Sequence, residues 1–427
     1  MQSRAPTSGD ELSRAKLIGY YLDAACHDRA RGPDPHWRAH GQAWVSRDGQ
    51  RPARRGAPHP VGGLPRPDVP WPHREPRTLW EDYLDPTFRG RIVTVPDTSG
   101  QMRARVDGKI LPPYADRPER QRAWSLRTGR PEWERLRRGT PPKEVLEAMD
   151  IEGIDVGILF RTWATQAINI DGLEPAFAAA MSRAWNRWIA DLCQESPERL
   201  KPSALVPLQD IELAVAEARF AVHDLGAVTL VLPSHLVNGR PIYHRDYDPL
   251  WAEAQAMGVA VSFHGNHAAY ADHLARRYLD NLVLSHACGQ PVEMMLTLGA
   301  VVTGGVLSRF PGLRMAFLEG NCGWLPWWLW ALDERWEAWG DRELFQQDAK
   351  PSELFRRQCF VSVEPEEELG KYVVAELGDD NLVLSTDWPH DDSRFPHAID
   401  GFLGMGHLSN DSKRKILWDN CARLYRL

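Results

Sequence analysis

Four apolar runs in this chain end on, or lead directly into, a side chain that can bind a metal ion or move a proton. His264 closes VAVSFH, Glu319 closes RMAFLE, Glu364 follows FVSV and Asp387 closes NLVLSTD. Imidazole nitrogen together with carboxylate oxygen is the mixed donor set of a catalytic zinc or similar divalent ion, which keeps one position open for water or substrate. His264 and Asp387 could share such an ion. Taken singly, His264 also reads as a satisfied core histidine, and Asp387 as the N-cap of the segment after it. His286 follows the apolar run Leu282 to Leu284 in NLVLSHACGQP. Its ring can act as general acid or base because imidazole titrates near pH 6.5; the alternative is a cap for a helix beginning near Pro291. Cys288 has no base assigned to it by spacing and reads as a buried, inert thiol. Arg161, directly after DVGILF, is a candidate carboxylate clamp or a surface ion-pair partner.

For residues this far apart to meet, the elements carrying them must converge. Strands are expected at Asp155–Phe160, Ala204–Pro207, Val228–Leu232, Val259–His264, Arg314–Glu319, Cys359–Val363 and Asn381–Asp387, each short and almost continuously apolar. That is the pattern of parallel strands covered on both faces. Helical patterns lie between most of them, at Glu174–Cys193, Ile211–His223, Pro249–Met257, Leu325–Trp336 and Glu366–Leu377. Seven β/α steps over roughly 280 residues match a (β/α)8 TIM-like barrel, whose strands all end at one mouth. A doubly wound open sheet is the second choice. No G-x-G-x-x-G follows a strand and no P-loop motif occurs, so nucleotide-phosphate binding has no support.

Composition sets the wider limits. With 427 residues, 43% of them hydrophobic and 26% charged, the chain can bury a large core and is not a disordered or fibrous sequence. Its 58 acidic and 51 basic side chains give a net charge of -7, which offers phosphate backbones no attracting field, so no nucleic-acid partner is expected. The six cysteines form no C-x-x-C pair, and no apolar stretch is long enough to span a bilayer, so the expectation is a cytoplasmic protein away from membranes. Residues 1–75 read as an irregular N-terminal arm rich in Pro, Gly, Arg and His, with a helix over Glu11–Ala25 as the alternative for its start. Residues 76–427 then form the barrel domain, with a polar insertion near 115–140. The tryptophan-rich segment Trp324–Trp339 reads as a core helix or a subunit interface, and a homo-oligomer is expected.

The motifs also carry a family resemblance. LWEDYLDP, MDIEGIDVGILF, FHG, the long tract LSRFPGLRMAFLEGNCGWLPWWLWALDERWE and STDWPHDD make the chain from Leu79 to Leu427 resemble the amidohydrolase-related branch of the amidohydrolase superfamily. That branch includes aminocarboxymuconate-semialdehyde decarboxylase and aromatic-acid decarboxylases. The resemblance implies a barrel with one divalent metal at its mouth, zinc first and manganese second. His264 and Asp387 would be ligands, His286 and Asp387 would move protons, and His390 and Asp392 would order the loop behind them. It also implies a small aromatic or unsaturated carboxylic acid as substrate, either decarboxylated or hydrolysed.

One departure stands out. Family members open with a strand ending in D-x-H or E-x-H ahead of E-P-x-x-L-W. Here Glu75 to Trp80 keeps the second part, but Pro70 and Pro72 occupy the ligand positions. Proline side chains cannot ligate, and prolines disfavour a central strand. His73 and Glu75 are the nearest substitute ligands, and His27, His36 or His59 could return from the arm. An altered ancestral segment is a further account. So is a catalytically impaired barrel that acts as a binding or assembly subunit.

Overall fold

The computed structural model describes residues 17–21, 78–96, 102–111, 141–160, 167–264, 281–342, 347–388 and 393–427. The strands, in chain order, are β1 (Leu17–Tyr21), β2 (Ile92–Pro96), β3 (Met102–Val106), β4 (Lys109–Leu111), β5 (Val156–Phe160), β6 (Leu200–Leu205), β7 (Thr229–Pro233), β8 (Ala260–His264), β9 (Met315–Leu318), β10 (Cys359–Val363) and β11 (Leu382–Leu384). The helices of eight residues or more are α1 (Pro142–Glu152), α2 (Pro175–Cys193), α3 (Ile211–His223), α4 (Asp248–Met257), α5 (Leu282–Thr303), α6 (Leu325–Trp339), α7 (Pro351–Gln358) and α8 (Gly370–Leu377).

Eight strands form one sheet in the order β1-β5-β6-β7-β8-β9-β10-β11, and every pair in it is parallel. The sheet curls until Cα atoms of β1 and β11 lie within 8 Å of one another. Its strands are apolar because helices cover one face while the curl buries the other. All five residues of β7, β8 and β10 are buried, and the rings of Phe263 and Phe317 stack at 5.4 Å across β8 and β9. All seven expected strands are present. Chemistry fixes the helix boundaries: Asp210 accepts the N–H of Leu213 at 3.0 Å to start α3, and Pro175 and Pro351 supply the fixed φ of a first turn in α2 and α7. Gly258 ends α4 in the left-handed region at φ 66°.

Three elements differ from expectation. Leu17–Tyr21 is neither helix nor loose arm: it is a strand, paired along its whole length with β5. The first strand therefore lies far ahead of Glu75, where the family pattern predicts it. Second, the helix expected to begin near Pro291 begins at Leu282, capped by the Asn281 side chain, and Pro291 sits inside it. A proline there removes one helical hydrogen bond, and α5 tolerates it. Third, the stretch after Leu79 folds into a separate antiparallel sheet, β2-β3-β4, turned at Asp107 and Gly108, both with positive φ.

Candidate active site

The segments that follow β9, β10 and β11 and the first turns of α5 border one cavity of about 350 Å³. His264 is the last residue of β8 and is buried, as is Glu319, the residue after β9. His264 Nε2 is hydrogen bonded to Glu319 Oε2, and Gln290 of α5 donates to Glu319 Oε1 at 2.6 Å. The Glu319 N–H donates to Ser362 Oγ of β10 at 2.8 Å. The carboxylate is thus held from both of its oxygens and from its backbone. Gln290, Glu319, Glu364 and Asp387 all line the cavity, with Arg394 at its wall.

Backbone geometry marks the same place. Glu319, Asn321 and Asp387 have φ of 54°, 54° and 53°, in the left-handed region that residues with a Cβ seldom occupy. Such conformations cost of order 1–3 kcal/mol each and persist where the surroundings over-determine them. Here Glu367 is one such constraint. Its Oε1 accepts the N–H groups of Cys322 and Gly323, both at 2.9 Å, and its Oε2 accepts that of Glu364 at 3.2 Å, fastening the loop after β9 to the loop after β10. Gly320 is required for close approach, since a Cβ there would lie 2.6 Å from Cγ of Met294 on α5.

Two turns further along α5, Thr297 Oγ1 donates to the carbonyls of Glu293 at 2.8 Å and of Ser234, just past β7, at 3.3 Å. Burial pushes the Glu293 carboxyl above the usual carboxylate range, against a hydrogen bond with Ser234. Burial also raises the Cys322 thiol, with Glu367 adding to the shift, which makes it a poor nucleophile. Cys288 is half-buried rather than enclosed.

Of the residues singled out in the sequence, Glu319, Glu364 and Asp387 line the same cavity, and His264 is tied to it through its bond to Glu319. His286 lies on α5 immediately before Ala287, which lines the cavity; its side chain is outside the described residues. His73, Glu75, Arg161, His390 and Asp392 also lie outside them. Gln290 was not singled out, and nothing in its local sequence marks it: its role depends on α5 starting a full two turns before Pro291. Glu319 was visible as a polar strand end, but only the fold reveals that its partner is His264.

A family model described as amidohydrolase matches residues 110–427. The chain belongs to the amidohydrolase family. Among its relatives, the gamma-resorcylate decarboxylase of Polaromonas sp. is 27% identical over 65% of this chain and 85% of that protein. The 2-amino-3-carboxymuconate-6-semialdehyde decarboxylase of Dictyostelium discoideum is 26% identical over 64% of this chain and 71% of that protein. A solved dihydroxybenzoic acid decarboxylase of Polaromonas sp., with bound manganese and 2-nitroresorcinol, superposes with a TM-score of 0.58 at 24% identity, covering 69% of this chain and 90% of that one. The chain is therefore an enzyme of the amidohydrolase superfamily, in the branch that resembles these decarboxylases. No helix among the described residues is long and apolar enough to cross a membrane.

The residues at the cavity fit a divalent ion in donor type: several carboxylates, one of them bonded to the His264 imidazole, with no thiolate among the lining residues. Among the described residues no three His, Cys, Asp or Glu side chains converge closely enough to hold an ion.

Proposed function

We propose that this chain is a metal-dependent carboxy-lyase that removes the carboxyl group of a small aromatic or unsaturated acid, built on a closed (β/α)8 barrel. The observation that carries the reading is the cavity at the carboxyl ends of the strands that Gln290, Glu319 and Asp387 line, with His264 bonded to Glu319 behind it. A volume of about 350 Å³ is at the small end of ligand pockets and suits a single ring. The relatives' names favour decarboxylation over hydrolysis.

His264 and Asp387 would hold the ion, manganese or zinc, with further ligands from residues ahead of Thr78 such as His73 and Glu75. When bound, it would draw electron density from a substrate oxygen. The remaining work falls to the protein. Loss of carbon dioxide from an arene carboxylate requires a proton at the carbon that carried the carboxyl group. Asp387, in the cavity wall, and His286, at the start of α5, are the groups assigned to deliver and recover it. Glu319 fixes the orientation of the His264 ring, and Gln290 fixes Glu319. Arg394 in the wall and Arg161 after β5 would receive the substrate's negative charge.

The test is turnover of a panel of hydroxybenzoates and unsaturated diacids by the full chain loaded with manganese or zinc. Carbon dioxide release and the decarboxylated product are followed together, beside elemental analysis of the protein. Release that is abolished by chelation and by His264→Ala supports the reading. A folded, metal-loaded protein that cleaves amides or esters without releasing carbon dioxide would replace it with hydrolysis.

A further inference from the structure

The cavity has a buried end and an open one. At the buried end stands Glu319, 7% exposed, with the 2% exposed His264 bonded to it from behind. Among the described residues that line the cavity Arg394 alone is cationic, and its side chain is 60% exposed, which places it at the rim. Its Nε lies 3.3 Å from Glu366 Oε2, while its Nη1 and Nη2 have no hydrogen-bond partner among the described residues. One side of the guanidinium is thus taken, and the two-pronged end that matches a carboxylate is open. Next to it the Ser393 hydroxyl, on another lining residue, is enclosed without a hydrogen-bond partner among the described residues.

A chain of contacts that begins far away in sequence leads to this arginine. Glu152, the last residue of α1, accepts the N–H groups of Ala398 and Ile399 at 3.2 and 3.1 Å and so fixes the first turn of the short helix Ala398–Gly404. Gly401 of that helix leaves room for Glu366, whose Cγ and Oε1 lie 3.0 and 3.1 Å from where a Cβ would stand. Glu366 itself has φ of 64°, in the left-handed region. An exposed ion pair needs no such conformation for its own sake. Strain of this kind is kept where a side chain has to be aimed.

Loss of carbon dioxide breaks the bond between the carboxyl carbon and the carbon that bears it. The electron pair stays on that carbon and takes up a proton, and the carboxyl group leaves uncharged. A guanidinium paired with the departing group would hold it most strongly before the reaction and lose the attraction on the way to the transition state, which slows the step. Arg394 therefore suits a group that keeps its charge. We infer that the substrate is a diacid: one carboxylate is lost at the buried end, and a second, retained carboxylate is bound end-on by Arg394 at the rim, with Glu366 positioning the guanidinium. This assignment rests on the proposed decarboxylation and narrows the class of acid on which it acts.

The test is calorimetric binding, to the full chain loaded with manganese, of 2-hydroxybenzoate and of its analogues with a second carboxylate at ring position 4 or 5, beside carbon dioxide release from each. The better diacid should bind about 10–30-fold more tightly than the monoacid. Arg394→Gln should erase that preference while the monoacid's affinity stays within about twofold, and Arg394→Lys, which keeps the charge without the fork, should keep part of it. Glu366→Gln should narrow the preference about threefold, in KM and not in kcat, a split that a merely structural role would not give. Equal binding of diacid and monoacid by the wild type would overturn the inference. So would a preference that survives Arg394→Gln, or a monoacid weakened by it as much as the diacid. A diacid preference that Arg394→Gln erases, without carbon dioxide release from any of the acids, would uphold the site for the second carboxylate and overturn the proposed reaction instead.

Discussion

Two buried carboxylates in this protein sit in networks of similar size and do different work. Glu217 of α3 accepts from Arg183 Nε and from Asn186 Nδ2, both at 2.7 Å, and Asn186 in turn accepts the N–H of Leu205 and donates to its carbonyl. That network closes on backbone and on a cation, with ordinary geometry, and binds α2 and α3 to β6. Glu319 is also bonded through both oxygens, but its partners are a histidine and a neutral amide, its φ is left-handed, and it faces a cavity. Burial raises the Glu217 carboxyl even though Arg183 and Asn186 oppose it, so this network is a compromise made for packing. What separates structural from functional polar burial here is not the number of hydrogen bonds. It is whether the network ends on the backbone or on open space.

The comparison predicts a clean exchange of effects. His264→Ala should lower turnover on the order of a thousandfold, because it removes a proposed ligand of the catalytic ion. The melting temperature should move little by comparison. Glu217→Ala should do the reverse. It strands Arg183 and one amide proton of Asn186, and should cost about 2–4 kcal/mol in urea unfolding while kcat stays within twofold. If Glu217→Ala also abolished activity, the division between the two networks would fail. Glu319→Gln probes the boundary: it keeps the shape and removes the charge that holds the His264 ring. A loss of about 10–100-fold in kcat/KM or in metal affinity is expected, the range for groups that orient a ligand from behind. Glu319→Asp, which retains the charge one methylene shorter, should recover part of it, whereas a purely structural role would give no such recovery.

The two networks were not equally legible beforehand. The strands and helices around both could be read from their periodicity, and with them a mixed α/β fold on a parallel sheet, because continuous apolar runs of four to six residues alternate with amphipathic segments. His264, Glu319 and Asp387 were visible as polar residues closing those runs, a signal that depends only on strand position. Pairing was not visible: Glu319 could equally have faced Asp387, and Gln290 came into play only because α5 starts at Leu282. Pro291 hid that start, since a proline at mid-helix reads as a boundary. Leu17–Tyr21 escaped because Leu12, Ala15, Leu17, Tyr20, Tyr21 and Ala24 fall at near-helical spacing, and its strand identity comes from β5 alongside. The β3–β4 turn could have been found. Asp107-Gly108 between RARV and KIL is a two-residue hairpin signal.

The smallest predicted effect bears on a third carboxylate, which shows what exposure does to the same chemistry. Asp348 accepts from Arg357 at 2.9 and 3.2 Å and from Ser308 Oγ at 2.5 Å, and its side chain is about half exposed. The Arg357 guanidinium, with the Ser308 hydroxyl, pulls its carboxyl from 3.8 down to about 2. A carboxyl lowered in the folded state contributes stability above its unfolded pKa and loses it as pH falls through the folded one. The contribution should therefore be complete above about pH 4 and lost toward pH 2, and solvent screening keeps it below about 1 kcal/mol. Glu217, raised by burial, has the opposite sign: its contribution is lost as pH rises through its folded pKa. Asp348→Asn should therefore flatten the acid limb of the melting temperature between pH 4 and 2. Glu217→Gln should leave that limb in place and instead flatten the decline toward neutral pH. Thermal unfolding of the three proteins across pH 2 to 8 tests both signs at once, because burial and exposure drive the two carboxyls in opposite directions.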